Sequence, residues 1–368
     1  MNFTFSEDQL AYRDAVESML VNEVTAERIR ARWDTESGTD AALLAQIHEL
    51  GLTTMLVPES LGGLGLNATD FVLLAELCGK VALPESLVDT ALVSLPMLVD
   101  VLDRGLGNRT VQTVLEAVAA GEASVACAHP INPHVNFAAQ ADWLLVAQGD
   151  AVYLLPRSAV TLSEHKSVDP SRRLSTVEFD ANPEACVASG AAGAELWRAT
   201  LNRGALGSAA QLLGLAQGMI ERTVTYSADR EQFGRPIGVN QAVKHLLADC
   251  AVQIEYARPV IHRAAYTVSV APTRADWAVS HAKAAAARAA TLTARQSIQV
   301  HGAMGYTWEC DLQIWAKHAW ALAREWGDVG FHKNRVHEWL LQPKALLGPE
   351  YTFGKRSLID SASPSTDV

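Results

Sequence analysis

Arg230-Glu231-Gln232-Phe233-Gly234-Arg235-Pro236-Ile237-Gly238, with Gln241 following, is the stretch on which the reading of this chain turns. It lies within a helical texture that runs from Ala188 to about Leu341. It carries a planar, permanently charged guanidinium at Arg230, amide donors at Gln232 and Gln241, and the aromatic ring of Phe233. A guanidinium fork suits a pyrophosphate, and an aromatic face or edge suits a flat ligand. Downstream stands Gln299-Val300-His301-Gly302-Ala303-Met304-Gly305-Tyr306, whose glycines at 302 and 305 would let backbone approach phosphates with no Cβ in the way.

Working outward, Ser6-Glu7-Asp8-Gln9 has the capping-box pattern and predicts a helix start. Apolar residues recur at helical spacing through Leu10, Tyr12, Val16 and Leu20, and again through Ala42, Leu43, Ile47 and Leu50, with Gly51 as a stop. Asn67 or Thr69 is placed to cap a helix from Asp70 to about Leu77, and more helix is expected to about Ala120, broken near Pro84, Pro96 and Gly105. The texture then changes. Trp143–Ala147 and Ala151–Leu155 are short apolar runs around Gln148-Gly149-Asp150 and read as a hairpin, and Thr176–Phe179 reads as a further strand. Helical texture returns after Ala188 and lasts to about Leu341, with an alanine-rich stretch at 281–299 suited to close helix packing. The expected organisation is a helical domain over 1–120, a reduced β domain over 121–190, a helical bundle over 191–345 and a partly disordered tail over 346–368. The fold class is mainly α with a small β domain.

The chain has 368 residues, 49% of them hydrophobic and 19% charged, enough to bury a large core. Its 30 Lys and Arg against 41 Asp and Glu give a formal net charge of −11, which argues against nucleic acid as a partner, since phosphate-binding surfaces need cations. No run is long and apolar enough to predict membrane insertion, no basic leader is visible, and the expectation is a cytoplasmic protein. The five cysteines are scattered and contain no C-x-x-C pair, so neither a disulfide framework nor a metal set is expected. The glycines at 62, 63 and 65 do not complete a dinucleotide fingerprint, Gly79-Lys80 lacks a Walker loop, and neither H-E-x-x-H nor G-x-S-x-G occurs.

Taken in order, the segments 49–70, Leu213-Gly214-Leu215-Ala216-Gln217, 230–241 and 299–306 resemble the acyl-CoA dehydrogenase family over roughly 340 of the 368 residues. The resemblance implies an N-terminal helical domain, a middle β domain and a C-terminal antiparallel four-helix bundle. It implies FAD as cofactor, an acyl-CoA thioester as substrate and an electron-transfer flavoprotein as electron acceptor. It places Arg230, Gln232, Phe233, Gln241, Gln299, Gly302, Ala303 and Gly305 against the dinucleotide end of FAD, donated in this family to a neighbouring subunit. Ala303 stands where the family has the second glycine of a pair.

Two departures qualify that picture. The family's T-E-P-x-x-G-S-D segment, which cradles the flavin ring, is replaced by Ala126-Cys127-Ala128-His129-Pro130-Ile131-Asn132-Pro133-His134, and the hairpin at Trp143 follows after unusually few residues. The family's catalytic carboxylate, needed to take an α-proton, falls on Trp326 when Gly327 is aligned with its glycine, or on about Gly204 at the alternative helical site. Glu325 and Asp328 flank the first position as weak candidates, since one residue of displacement turns a helical side chain by about 100°. The resemblance is therefore to the smaller, base-lacking subunit of heteromeric (α2β2) acyl-CoA dehydrogenases of actinobacteria, several of which act on steroid side-chain CoA esters. The expected role is to complete the FAD site of a second acyl-CoA dehydrogenase subunit. The alternatives are a self-sufficient homotetramer using Glu325 or Asp328, and a helical scaffold without catalysis.

Overall fold

The computed structural model describes residues 4–342 and residue 345; the tail expected over 346–368 lies outside the described residues. The chain begins with helices α1 (Glu7–Glu23), α2 (Ala26–Trp33), α3 (Ala41–Glu49), α4 (Ala68–Lys80), the short α5 (Leu87–Asp89), α6 (Leu95–Asp103) and α7 (Arg109–Ala119). The expected capping box forms: the Gln9 amide donates to Ser6 Oγ at 3.2 Å and the Ser6 amide to Gln9 Oε1 at 2.8 Å. Asn67, rather than Thr69, caps α4, which starts at Ala68 and runs to Lys80, longer at both ends than expected. Asp70 reciprocates that cap and also accepts from Gln9 Nε2 at 2.6 Å, fastening α1 to α4.

The break expected near Pro96 is absent. Helical turns run on from Leu87 through Asp103, and the chain absorbs the proline by widening into a π turn over Thr90–Ser94 just before it. Pro96 then opens α6, and the widened turn before it accommodates the ring and the missing N–H within a continuous helical run.

The β region holds two sheets. β1 (Val125–Ala128), β3 (Trp143–Gln148), β4 (Ala151–Pro156) and β7 (Cys186–Ala188) form one in the order β1-β3-β4-β7, with β1 parallel to β3. β2 (Val135–Asn136), β6 (Leu174–Phe179) and β5 (Val160–His165) form the other, antiparallel throughout. The β3–β4 hairpin turns where Gly149 adopts φ +61°, with Gln148 paired to Ala151.

The bundle is built from α8 (Gly190–Asp229), α9 (Gln241–Val270) and α10 (Ala275–His301), closed by α11 (Leu312–Leu322) and α12 (Val329–Leu340). The hairpin β8 (Glu231–Gln232) and β9 (Arg235–Pro236) joins α8 to α9. Buried alanines of α10, among them Ala282, Ala286, Ala289 and Ala290, let it nest between α8 and α9. One core runs from the N-terminal helices into the bundle, a second lies between α6, α7 and the first sheet, and a third separates the two sheets. Among the described residues no helix is long and apolar enough to cross a membrane.

Candidate functional site

The residues expected to hold FAD gather at one end of the bundle. α8 stops at Arg230, whose backbone is extended, and the chain turns back through β8 and β9 with Phe233 at φ +55° and Gly234 at φ +75°. Two backbone bonds pin this loop, Arg230 N–H to Tyr226 O and Ile237 N–H to Arg230 O, each 2.8 Å. Phe233 is 99% exposed. Arg230, Gln232 and Gln241 are also exposed, and Arg230 forms no ion pair among the described residues. The second turn leaves α10 at Gly302, which takes φ +60° and has open space where a Cβ would stand. Gln299, Gly302 and Ala303 are exposed, whereas Gly305 is buried against Ile298, whose carbonyl would lie 2.8 Å from an added Cβ. Tyr226 stacks on His301 at 4.1 Å, so the two turns share one face. A free guanidinium, three exposed amide side chains and an open glycine turn are the donor set a dinucleotide phosphate requires, and the residues present fit that end of FAD.

None of these residues reaches a half-open cavity of about 780 Å³ elsewhere in the chain. Its walls come from α3, the 85–94 segment, the end of α7, β1, the 132–142 loop and the tip of the 325–326 loop. The bundle thus contributes little to it. Trp326 sits here at φ +57°, a left-handed conformation uncommon for a bulky side chain. Its amide donates to Asn132 Oδ1 at 2.7 Å, and its carbonyl accepts from His332 Nε2 at 2.8 Å. Burial first, and then the Lys283 charge, push His332 down to about 3, so this imidazole stays neutral. The loop is also held by the buried Lys283 ammonium, which donates to Leu322 O at 2.8 Å and Ala323 O at 3.3 Å.

The two places from which a family carboxylate would come are spent on each other. A Cβ at Gly204 would fall 2.2 Å from the Trp326 indole, so the helix lacks a side chain where the ring lies. Glu325 is tied to Arg172 at 2.7 Å, both side chains 9% exposed. Asp328 caps α12, accepting from the Phe331 amide at 2.8 Å.

Of the six carboxylates that line the cavity, two not singled out in the sequence, Glu85 and Asp89, are held well above the usual carboxylate range. Burial pushes Asp89 up to about 7, the Glu325 charge adding to the rise while Arg172 and the Trp326 side chain oppose it. Glu85 is likewise raised to about 7 by burial, against the Asp40 amide at 3.0 Å and Arg32 at 3.1 Å. A signal existed: these are two carboxylates at i and i+4 inside an otherwise uncharged, mostly apolar stretch from Val81 to Val99. Asp89 also stands directly before the π turn, a distortion frequent at functional sites.

Two family models match the chain: Acyl-CoA dehydrogenase, N-terminal domain, over residues 6–122, and Acyl-CoA dehydrogenase, C-terminal domain, over residues 191–341. The chain is 29% identical over 316 residues to the acyl-CoA dehydrogenase IpdE2 of Mycolicibacterium smegmatis, covering 85% of this chain and 93% of that protein. Among solved structures it is similar to glutaryl-coenzyme A dehydrogenase in its glutaryl-CoA complex, with a TM-score of 0.79, 21% identity, and 93% and 97% of the two chains covered. A chain of the ChsE4-ChsE5 complex from Mycobacterium tuberculosis gives a TM-score of 0.80 at 22% identity, covering 92% and 99%. The Tcur3481-Tcur3483 steroid ACAD gives 0.78 at 22% identity, covering 90% and 97%. At such identities these structures speak for the fold alone.

Proposed function

The chain belongs to the acyl-CoA dehydrogenase family, whose cofactor is FAD, and from that premise we propose that it is the site-completing subunit of a heteromeric acyl-CoA dehydrogenase. The observation that carries this reading is the interlock of Trp326 with Gly204, which fills both positions of the family base, beside an exposed set of FAD-side residues that lies outside the 780 Å³ cavity. Arg230 would neutralise the pyrophosphate, Gln232, Gln241 and Gln299 would donate to it, Phe233 would cover an apolar edge, and the turn at Gly302 would bring backbone close. Bound FAD supplies the acceptor for hydride from the β-carbon of an acyl-CoA. The α-proton would go to a carboxylate of the partner subunit. Fold neighbours built from two named chains, ChsE4-ChsE5 and Tcur3481-Tcur3483, support the heteromeric arrangement. The second of these, a steroid ACAD, supports a steroid-derived acyl group as substrate. An electron-transfer flavoprotein as acceptor and a cytoplasmic location complete the reading.

The test is the flavin content of the native assembly. Co-expressed with a second acyl-CoA dehydrogenase chain, the protein should purify yellow with about one flavin per two chains, and Arg230→Ala should lower that ratio. Stoichiometric flavin and acyl-CoA oxidation by the chain alone would overturn the proposal.

A second reading has one observation in its favour. Asp89, in the cavity beside Trp326 and raised to about 7, is a carboxylate suited to proton transfer near neutral pH, which would make the chain a base-carrying enzyme after all. Loss of turnover in Asp89→Asn of this chain, with flavin content unchanged, would select it.

A further inference from the structure

Lys283 stands on α10, 1% exposed, and among the described residues no carboxylate pairs with it. Its Nζ reaches the end of α11 and the loop that follows, donating to Leu322 O at 2.8 Å, Ala323 O at 3.3 Å and Gly327 O at 3.4 Å. The two acidic neighbours are engaged elsewhere: Glu325 with Arg172 at 2.7 Å, and Asp328 with the Phe331 amide at 2.8 Å. A helix C-terminus favours a cation, but carbonyl dipoles repay only part of the cost of taking a whole charge out of water. The fold therefore closes over this amine at the expense of its charged form.

The loop so held carries Trp326, and its other ties are neutral. Ser208 Oγ donates to the same Leu322 O at 3.1 Å, the Trp326 amide to Asn132 Oδ1 at 2.7 Å, and His332 Nε2 to Trp326 O at 2.8 Å. Burial pushes Lys283 down to about 7, with Glu325 and Asp328 opposing the fall. From α12, His332 lies at about 3 and stays neutral, and the buried side chains of α8 and α9 carry no charge. When the loop lifts, water reaches the amine and its value returns towards 10.5. The open loop thus binds the proton more tightly than the closed one, so opening is favoured as pH falls through the interval between these two values. Two carboxylates beyond the loop have the opposite sign. Asp89, bonded to the Trp326 side chain, and Glu85, in the same cavity wall, are raised to about 7, so their ionisation favours opening as pH rises, and is largely complete above that value.

We propose that the 323–328 loop is a proton-operated lid: proton uptake by Lys283 opens it and draws Trp326 out of the notch at Gly204, and proton release lets it close. Water enters on opening and hydrates the ammonium, and the indole leaves the wall it shares with the cavity. The device belongs to this chain alone and stands whichever subunit carries the base.

The experiment is hydrogen exchange read by mass spectrometry, on the full chain in the assembly in which it purifies, between pH 7.5 and pH 9.5, with each rate corrected for base catalysis. In that window Asp89 and Glu85 are already ionised, so the sign of the dependence is set by Lys283. The Glu325 and Trp326 amides, bonded to Ala321 O at 3.3 Å and Asn132 Oδ1 at 2.7 Å, report the opening. Their protection should rise with pH by up to about tenfold per unit. Lys283→Gln, which keeps a donor and cannot titrate, should make it independent of pH over this range. Should that shorter side chain prevent folding, Lys283→Met removes the titration at nearly full length, and the same flat profile is expected. Wild-type protection that is flat or falls with pH, or a slope that persists in a Lys283 variant that folds, would overturn the proposal. A rise spread evenly over every helix would report global unfolding instead and would overturn it as well.

Discussion

At the scale of single residues, Asp89 and Gly204 make opposite demands on their surroundings. Asp89 is a carboxylate whose folded-state value is raised to about 7, with burial as the main cause. A group raised in this way favours the folded state at low pH, below its unfolded value near 3.8, and that contribution fades as pH climbs through about 7. His129 and His332, lowered to about 4 and about 3 by burial, act in the other direction over part of the range, so the wild-type profile is a sum of both. The variant difference isolates one member: Asp89→Asn should gain stability relative to wild type between pH 4 and pH 8, measured as the shift in urea midpoint across a pH series. A constant offset would mean that Asp89 titrates normally. Gly204 has the contrary problem, since its Cβ would sit 2.2 Å from the Trp326 ring. Gly204→Ala should therefore destabilise the chain by about 1–3 kcal/mol, the cost of overpacking a filled core. Pairing it with Trp326→Leu should recover part of that loss, which a double-mutant cycle by denaturant unfolding would read.

At the scale of elements, local chemistry was legible and distant pairing was not. Ser6 and Asn67 announced their helices because a capping side chain bonds within its own turn. Gln148-Gly149-Asp150 announced the β3–β4 hairpin for the same local reason. The π turn at Thr90–Ser94 was hidden, because nothing in a proline alone tells whether the preceding turn breaks or widens. The bond from Arg172 to Glu325 was hidden too: it joins residues 153 apart in sequence, and it removes a candidate base that sequence spacing left open. The β8–β9 hairpin is the element in which fold and function separate most cleanly. Phe233 at its tip is 99% exposed and packs on nothing among the described residues. Phe233→Ala should leave the unfolding midpoint of the isolated chain unchanged while lowering the flavin content of the co-expressed assembly. An equal loss of both would show that the ring serves the fold instead.

At the scale of the whole molecule, the exposed aromatic surface is unevenly spread. Phe233, Tyr306 and Trp308 stand 99%, 85% and 56% exposed in the two turns at the end of the bundle, and Tyr256 on α9 is 73% exposed. A net charge of −11 keeps such a chain in solution through mutual repulsion but does nothing to cover these rings. The bundle with its small-residue contacts was foreseeable from the alanine-rich stretch at 281–299, whereas the cavity was not. Its wall is assembled from segments scattered between Thr39 and Trp326, and no periodicity links them.

The meeting of Trp326 with Gly204 also acts as a ratchet on the history of the chain. Restoring a glutamate at 326 alone would remove the indole and leave a void beside a helix that has no side chain there to fill it, with a new carboxylate facing that gap. Placing a glutamate at 204 alone would drive its Cβ into the ring. Each single step back is penalised by packing. Under the proposed function, a lineage that has passed this point is held by packing to a chain without the family base, even where selection would favour independence.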